Sequence, residues 1–252
     1  MTRLAPHDLG TVLGVWAHPD DEAYLSAGLM ALARDAGHRV VCVTATRGEH
    51  GTDDPVRWPP PRLARRRELE LRASLAALDV TEHHFLDYVD GTCARADARP
   101  AVARLAAVMA DVRPDTVVTF GPDGLTGHDD HRTVSAWATA ARAVAAPRAR
   151  LLQATTTRAF ADRWHDLHAR LEVFLDPSLP LRTPPGRVAL EIVLDRELAD
   201  RKLVALRAQA SQTDGLIAEL GEDRYRAWWS TESFVLAPPA DVTAPALAVS
   251  AV

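Results

Sequence analysis

Short apolar and β-branched runs alternate with longer Ala/Leu/Arg segments through the first 145 residues of the chain. Short continuous apolar runs suit strands buried on both faces, and longer segments with apolar positions three and four apart suit helices. The pattern predicts strands at about 11–17, 39–46, 83–87 and 116–120, and helices at about 23–36, 62–78, 98–112 and 131–145. Leu63, Leu69, Leu71, Leu75 and Leu78 form the apolar positions of the second helix, and Gly37 and Pro114 act as stops. Strand and helix in regular alternation imply βαβ units, so the expected fold class is α/β, a mainly parallel sheet flanked by helices.

Beyond residue 150 the pattern is weaker. A Thr-rich run, a helix at 161–173, the Pro-rich stretch DPSLPLRTPPG, a strand at 187–194, a helix at 196–210 and a closing strand SFVLA are expected. Residues 1–150 then form the catalytic layer, and 151–237 a smaller C-terminal α/β extension of the same domain that closes the site. The Pro, Ala and Val tail at 238–252 is expected to be poorly ordered. There is no internal repeat.

In an open parallel sheet, chemistry gathers in the crevice outside the carboxyl ends of the strands. Four polar loops occupy those ends: His18 to Glu22, Arg47 to Asp54, Asp87 to Asp90, and Gly121 to His131. They are expected to converge on one pocket.

The first of these loops reads AHPDDE at 17–22. Three adjacent carboxylates repel one another, and a plain soluble turn would use Gly, Asn or Ser instead. A positive partner is therefore expected among them. The last loop, GPDGLTGHDDHRT at 121–133, sets His128 and His131 three apart around Asp129 and Asp130. His18, Asp21 and His131 together offer two imidazoles and one carboxylate, a mixed donor set for a catalytic divalent cation with open positions. Asp20 is then free to take a proton from water activated by the cation, which makes hydrolysis the natural reaction class. His128 can stabilise an oxyanion or protonate a leaving amine, with Asp130 holding its ring. Each cluster alone has a plainer reading: acids complementing a helix N-terminus, and a surface histidine pair. Their joint position at the ends of parallel strands favours the cation.

Composition narrows the function classes. The chain has 252 residues, 47% of them hydrophobic, and a formal charge of -5, so it can bury a substantial core and lacks the basic excess of a nucleic-acid binder. The N-terminal MTRLAPHDLG has no apolar signal core and no segment is apolar enough to span a membrane, which implies a cytoplasmic location. Cys42 and Cys93 form no CxxC pair, so neither a disulfide framework nor a cysteine zinc site is encoded.

AHPDDE followed by HDDH resembles the PIG-L/LmbE-like zinc-dependent N-deacetylases, and the likeness runs from about residue 11 to residue 236. TRGEHG at 46–51, Arg67 with Glu70, and Asp90-Gly91 add to it. The resemblance implies a Rossmann-like fold and removal of an acyl group, usually acetyl, from a small N-acyl amino sugar or its conjugate. It implies Zn2+, or Fe2+, Mn2+ or Co2+, held by His18, Asp21 and His131, with Asp20 as base and His128 as electrostatic or acid partner. It also implies that Glu49, Arg67 and Asp90 line a sugar pocket. Two positions depart from the family pattern: Gln209 stands where a histidine is expected, and Thr126 where some members have tyrosine. Oxyanion stabilisation is then expected to rest on the cation and His128.

Two other function classes compete. A non-haem iron oxygenase also uses two histidines and a carboxylate, but the parallel sheet and the additional Asp20 disfavour it. A non-catalytic nucleotide-binding module needs a glycine-rich turn after the first strand, where this chain has acids that would repel pyrophosphate. The particular N-acyl substrate, the native ion and the oligomeric state, homo-oligomers included, are open at the level of sequence.

Overall fold

The computed structural model describes residues 4–238. The predicted tail falls almost wholly outside the described residues. Strand β1 (Val12–Trp16) leads to α1 (Asp21–Asp35), β2 (Val40–Thr46), α2 (Pro60–Ala77), β3 (Glu82–Tyr88), α3 (Ala98–Val112), β4 (Thr116–Phe120) and α4 (Asp129–Ala145). Each of these answers to a predicted element. Helices α1 and α4 begin earlier than their apolar periodicity suggests, because the acidic residues of the loops form their first turns, where carboxylates complement the helix dipole. Gly37 follows α1 at φ +81°, and Arg113, just before Pro114, ends α3 in the left-handed region.

The C-terminal third is corrected in several places. A fifth parallel strand, β5 (Arg150–Ala154), precedes the Thr-rich run. The helix expected at 161–173 is two short helices, α5 (Arg158–Arg163) and α6 (His165–Arg170). The strand expected at 187–194 shortens to β6 (Leu190–Val193), and α7 (Arg196–Ala208) is followed by α8 (Ala210–Leu220) and α9 (Glu222–Trp228), neither of them anticipated. Strand β7 (Thr231–Leu236) lies inside the sheet, antiparallel to both β5 and β6, and β6 forms the edge.

The seven strands are ordered β3-β2-β1-β4-β5-β7-β6, the first five parallel. Helices α1, α2 and α7 pack together, as do α3 and α4. The core includes Val12, Leu13, Val15, Val41, Val43, Val117 and Val118, all buried, as a strand covered on both faces requires. The chain leaves β1 toward β2 on one side and reaches β4 on the other. The β1–β4 junction is therefore a topological switch point, where a crevice opens. No helix among the described residues is long and apolar enough to cross a membrane.

Candidate active site

At that crevice the loop after β1 brings in His18, Asp20 and Asp21, the loop after β2 Gly48 to Gly51, the loop after β3 Asp90 and Gly91, and the loop after β4 Leu125 to His131. His18, Asp20, Asp21, Arg67, Asp90, His128 and His131 all line one cavity of about 470 Å3. Convergence of the four loops, expected from the sequence, is what the fold produces.

The hydrogen bonds fix the tautomers of two rings. His131 Nδ1 lies 3.0 Å from the Gly124 carbonyl, so that nitrogen is the donor and Nε2 presents a lone pair. Phe120 stacks on the same ring at 4.1 Å. His18 Nε2 lies 3.0 Å from Asp90 Oδ1 and 3.4 Å from Asp130 Oδ2, so it donates to the carboxylates, and in the neutral ring Nδ1 is the lone-pair nitrogen. His18 Nδ1 and His131 Nε2 face each other at 3.1 Å. The Asp21 carboxylate lies beside both, its Oδ2 3.6 Å from the first and its Oδ1 3.4 Å from the second. Three acceptors this close repel unless something positive lies between them. Ligand bonds of about 2.0–2.2 Å in tetrahedral geometry place neighbouring donor atoms about 3.3 Å apart, a spacing that the 3.1, 3.4 and 3.6 Å pair distances bracket.

The electrostatics describe the same need. Burial lowers the basicity of His18, but its bonds to Asp130 and Asp90 and the charge of Asp21 outweigh that and push its pKa up to about 10. Burial lowers His131 to about 4, against the pull of Asp21. A proton on His18 thus takes the place a cation would fill, and cation binding would release it. His128 also brings a ring nitrogen within 4.8 Å of those of His18 and His131. Its Nδ1, however, accepts the backbone N–H of Asp130 at 3.1 Å and caps α4, which leaves Nε2–H as a free donor.

Asp20 occupies a strained position, φ 105°, which an aspartate tolerates better than most residues. Arg67 holds it there, donating to Asp20 Oδ2 at 3.0 Å, to Gly48 O at 2.8 Å and to the Pro19 carbonyl. A Cβ at Gly48 would stand 2.1 Å from the guanidinium, so glycine is required for this contact. Burial raises Asp20 to about 7 although Arg67 pulls the other way.

Three expectations change. Asp130 does not hold the His128 ring through its carboxylate; that carboxylate accepts N–H bonds from Gly91 at 2.7 Å and Cys93 at 3.0 Å and faces His18. Glu49 is not among the residues lining the catalytic cavity; it accepts the backbone N–H of Asp90 and borders a separate surface hollow. Arg67 and Asp90 do line the cavity, but both Nη atoms of Arg67 are engaged by Asp20 and the loop carbonyls, and the Asp90 carboxylate by His18 and the His50 N–H. The Arg65–Arg67 run reads as a solvated helix face, yet Arg67 is 3% exposed while Arg65 and Arg66 are exposed.

Further residues were not legible beforehand. Tyr24, Trp228, Trp229, Gln212 and Leu216 also line the cavity, contributed by α1, α8, α9 and the turn after α9. Gln209 lies behind the site, donating to the wholly buried Glu22 at 2.7 Å. Thr126 Oγ1 lies 3.3 Å from His131 Nδ1.

A Rossmann-ordered sheet with two imidazoles and a carboxylate converging at its switch point defines an α/β protein with a candidate single-ion centre. The family model PIG-L, GlcNAc-PI de-N-acetylase, matches residues 13–142, and the chain belongs to that family. The 1D-myo-inositol 2-acetamido-2-deoxy-alpha-D-glucopyranoside deacetylase of Acidothermus cellulolyticus is 33% identical over 262 residues, covering 90% of this chain and 88% of that protein. The enzyme of the same name from Kineococcus radiotolerans is 38% identical over 148 residues, but that match covers only 48% of this chain and 41% of the relative. Among solved structures, N,N'-diacetylchitobiose deacetylase from Pyrococcus horikoshii superposes with a TM-score of 0.61 at 21% identity, over 92% of this chain and 85% of that one. The 4-carboxy-2-hydroxymuconate hydratase GalB of Pseudomonas putida KT2440 gives 0.62 at 17% identity, over 92% and 97%. Likenesses this remote establish the fold, which carries more than one chemistry.

Proposed function

We propose that this protein hydrolyses the N-acyl amide, N-acetyl in the simplest case, of an amino sugar or amino-sugar conjugate. His18, Asp21 and His131 hold a divalent cation, Zn2+ or one of Fe2+, Mn2+ and Co2+, which the same donors accept. The observation that carries the reading is the pair His18 Nδ1 and His131 Nε2, 3.1 Å apart, with the Asp21 carboxylate beside both, Oδ2 3.6 Å from the first and Oδ1 3.4 Å from the second. The curated relatives named above, both deacetylases of an acetamido sugar, support the choice of substrate class.

When bound, the cation supplies a Lewis acid that polarises the amide carbonyl and lowers the pKa of water. Asp20 takes the proton from the attacking water, and a pKa raised by burial to about 7 suits a base working near neutrality. His128, its Nδ1 occupied by the Asp130 N–H, offers Nε2–H to the oxygen that gains charge as water adds. A C–O bond forms, the amide C–N bond breaks, and a carboxylic acid and a primary amine leave. Arg67 and Asp90 act as positioning residues, the first for Asp20 and the second for His18. His50 and Gln212, which line the same cavity, are the partners assigned to the sugar hydroxyls.

The test is amine release from N-acetylglucosamine conjugates, with and without inositol or malate, under anaerobic conditions. Equimolar acetate and amine, lost on chelation and restored by a divalent ion, are expected. Turnover that requires oxygen and an oxoacid would instead support the oxygenase reading. For a nucleotide-binding module, acids in place of glycines after β1 remain the obstacle.

A further inference from the structure

Asp20 opens α1 as its N-cap with φ 105° and ψ -31°, a backbone conformation that persists only where neighbouring groups hold it in place. The peptide that creates it is held at both ends. The carbonyl of the Pro19–Asp20 peptide accepts from Arg67 Nη2, and its N–H donates to Glu22 Oε2 at 3.0 Å. A peptide turned over at this point would lose both bonds and would set its N–H against a guanidinium, which has no acceptor, and its carbonyl against a carboxyl oxygen.

Glu22 is wholly buried and is not among the residues lining the catalytic cavity. A carboxyl group in such a place is costly unless both of its oxygens find donors. Oε2 reaches back to the Asp20 N–H, while Oε1 accepts the Gln209 amide at 2.7 Å and lies 3.4 Å from the Ser74 hydroxyl. Gln209, also wholly buried, stands at the junction of α7 and α8. That junction is anchored to α2, because Ser211 donates its N–H and its hydroxyl to Glu70 at 3.0 and 2.6 Å. Since α2 also carries Arg67, the groups that hold the two ends of the peptide belong to one packed unit.

Resting on the N-deacylase reading above, we propose that Glu22 and Gln209 are positioning residues for the base: together with Arg67 they clamp the Pro19–Asp20 peptide and so keep the Asp20 carboxylate where it can take the proton of the attacking water. Neither residue touches the substrate. Glu22 holds the backbone of Asp20, and Gln209 holds Glu22. A general base works only within hydrogen-bond reach of its proton, so the consequence of a slackened clamp falls on turnover and not on binding.

The test measures kcat and KM on an N-acetylglucosamine conjugate, with ion content read separately by equilibrium dialysis. Glu22→Met should lower kcat about a hundredfold, the loss that a displacement of about 1 Å can give, with KM nearly unchanged and one ion per chain retained. Glu22→Gln keeps an oxygen for the Asp20 N–H, and its amide can be met by a turned Gln209, whose Oε1 is buried without a partner among the described residues, so it should lose much less. Gln209→Glu sets two carboxyl groups against each other and should fall with Glu22→Met; combining it with Glu22→Gln should restore most of the loss. The deciding comparison is made in Asp20→Asn. A residue that acts through the base should lower kcat no further there, whereas one that merely supports the fold should lower it by the same factor again. Equal losses in the two backgrounds, release of the ion by Glu22→Met, or an unchanged kcat in Glu22→Met would overturn the clamp and leave deacylation intact. Failure of the wild type to release amine would remove the deacylase reading and the clamp with it. Should Glu22→Met not fold, Gln209→Met in both backgrounds makes the same comparison.

Discussion

Arg67 donates to Asp20 across 3.0 Å and, with the same guanidinium, to the carbonyl groups of Pro19 and Gly48. One side chain from α2 thereby ties down the backbone of the residue assigned as base and opposes the rise that burial gives its pKa. Removing its charge in Arg67→Met should raise the Asp20 pKa, since the guanidinium acts to lower it, and so move the acidic limb of the pH–rate profile to higher pH. Arg67→Lys keeps a charge but cannot make the forked contact, so it should retain more of the pH position than of the turnover. Gly48→Ala, whose Cβ would collide with the guanidinium, should behave like Arg67→Met.

Asp90 fixes His18 from behind at 3.0 Å. Partners of this kind orient a ligand ring and commonly contribute 10–100-fold to metal affinity. Asp90→Asn should weaken divalent-ion binding by about that factor in competition titrations with a chromophoric chelator, and should leave KM for the sugar nearly unchanged if Asp90 is not a sugar partner.

Helix α1 is braced from outside by a buried ion pair. Glu232 accepts the backbone N–H groups of Gly28 and Leu29 at 2.8 and 2.9 Å, and Lys202 Nζ lies 2.7 Å from both Glu232 and the Tyr24 carbonyl. Both charged groups are almost fully buried. Lys202→Met leaves the carboxylate unpaired and should cost about 3–5 kcal/mol in denaturant unfolding. Adding Glu232→Gln to it should restore part of that loss.

His168 gives a pH signature of stability. Its folded pKa is lowered from 6.5 to about 4 by burial, so the unfolded chain binds the proton first as pH falls. The contribution is complete above pH 6.5 and is lost between 6.5 and about 4, reaching about 3 kcal/mol at the lower end. Denaturant midpoints measured across this range should fall, and His168→Asn should flatten the part of the decline due to this ring.

The parallel half of the fold was legible because its strands are short apolar runs and its helices have clear spacing. The site loops were legible because charge crowded at strand ends has few structural uses. The C-terminal third was not, since α8 and α9 carry mixed polar sequences and β5 reads as a mere continuation of RLLQATTT. Nor could spacing show that Asp130 serves His18, 112 positions away, and not its neighbour His128. The choice requires the three-dimensional path of the β3–α3 loop, whose Gly91 and Cys93 N–H groups turn the carboxylate. Arg67 was hidden for a similar reason: in a run of three arginines, only helix phase decides which one is buried.

Asp20 and Asp21 are adjacent, chemically identical and assigned opposite tasks, so the most direct test is equilibrium dialysis of Zn2+ against Asp20→Asn and Asp21→Asn. The account predicts that Asp20→Asn retains one ion per chain while losing about two to four powers of ten in turnover, and that Asp21→Asn sheds the ion. Retention by Asp21→Asn with loss from Asp20→Asn, or no stoichiometric ion in the active wild type, would contradict it.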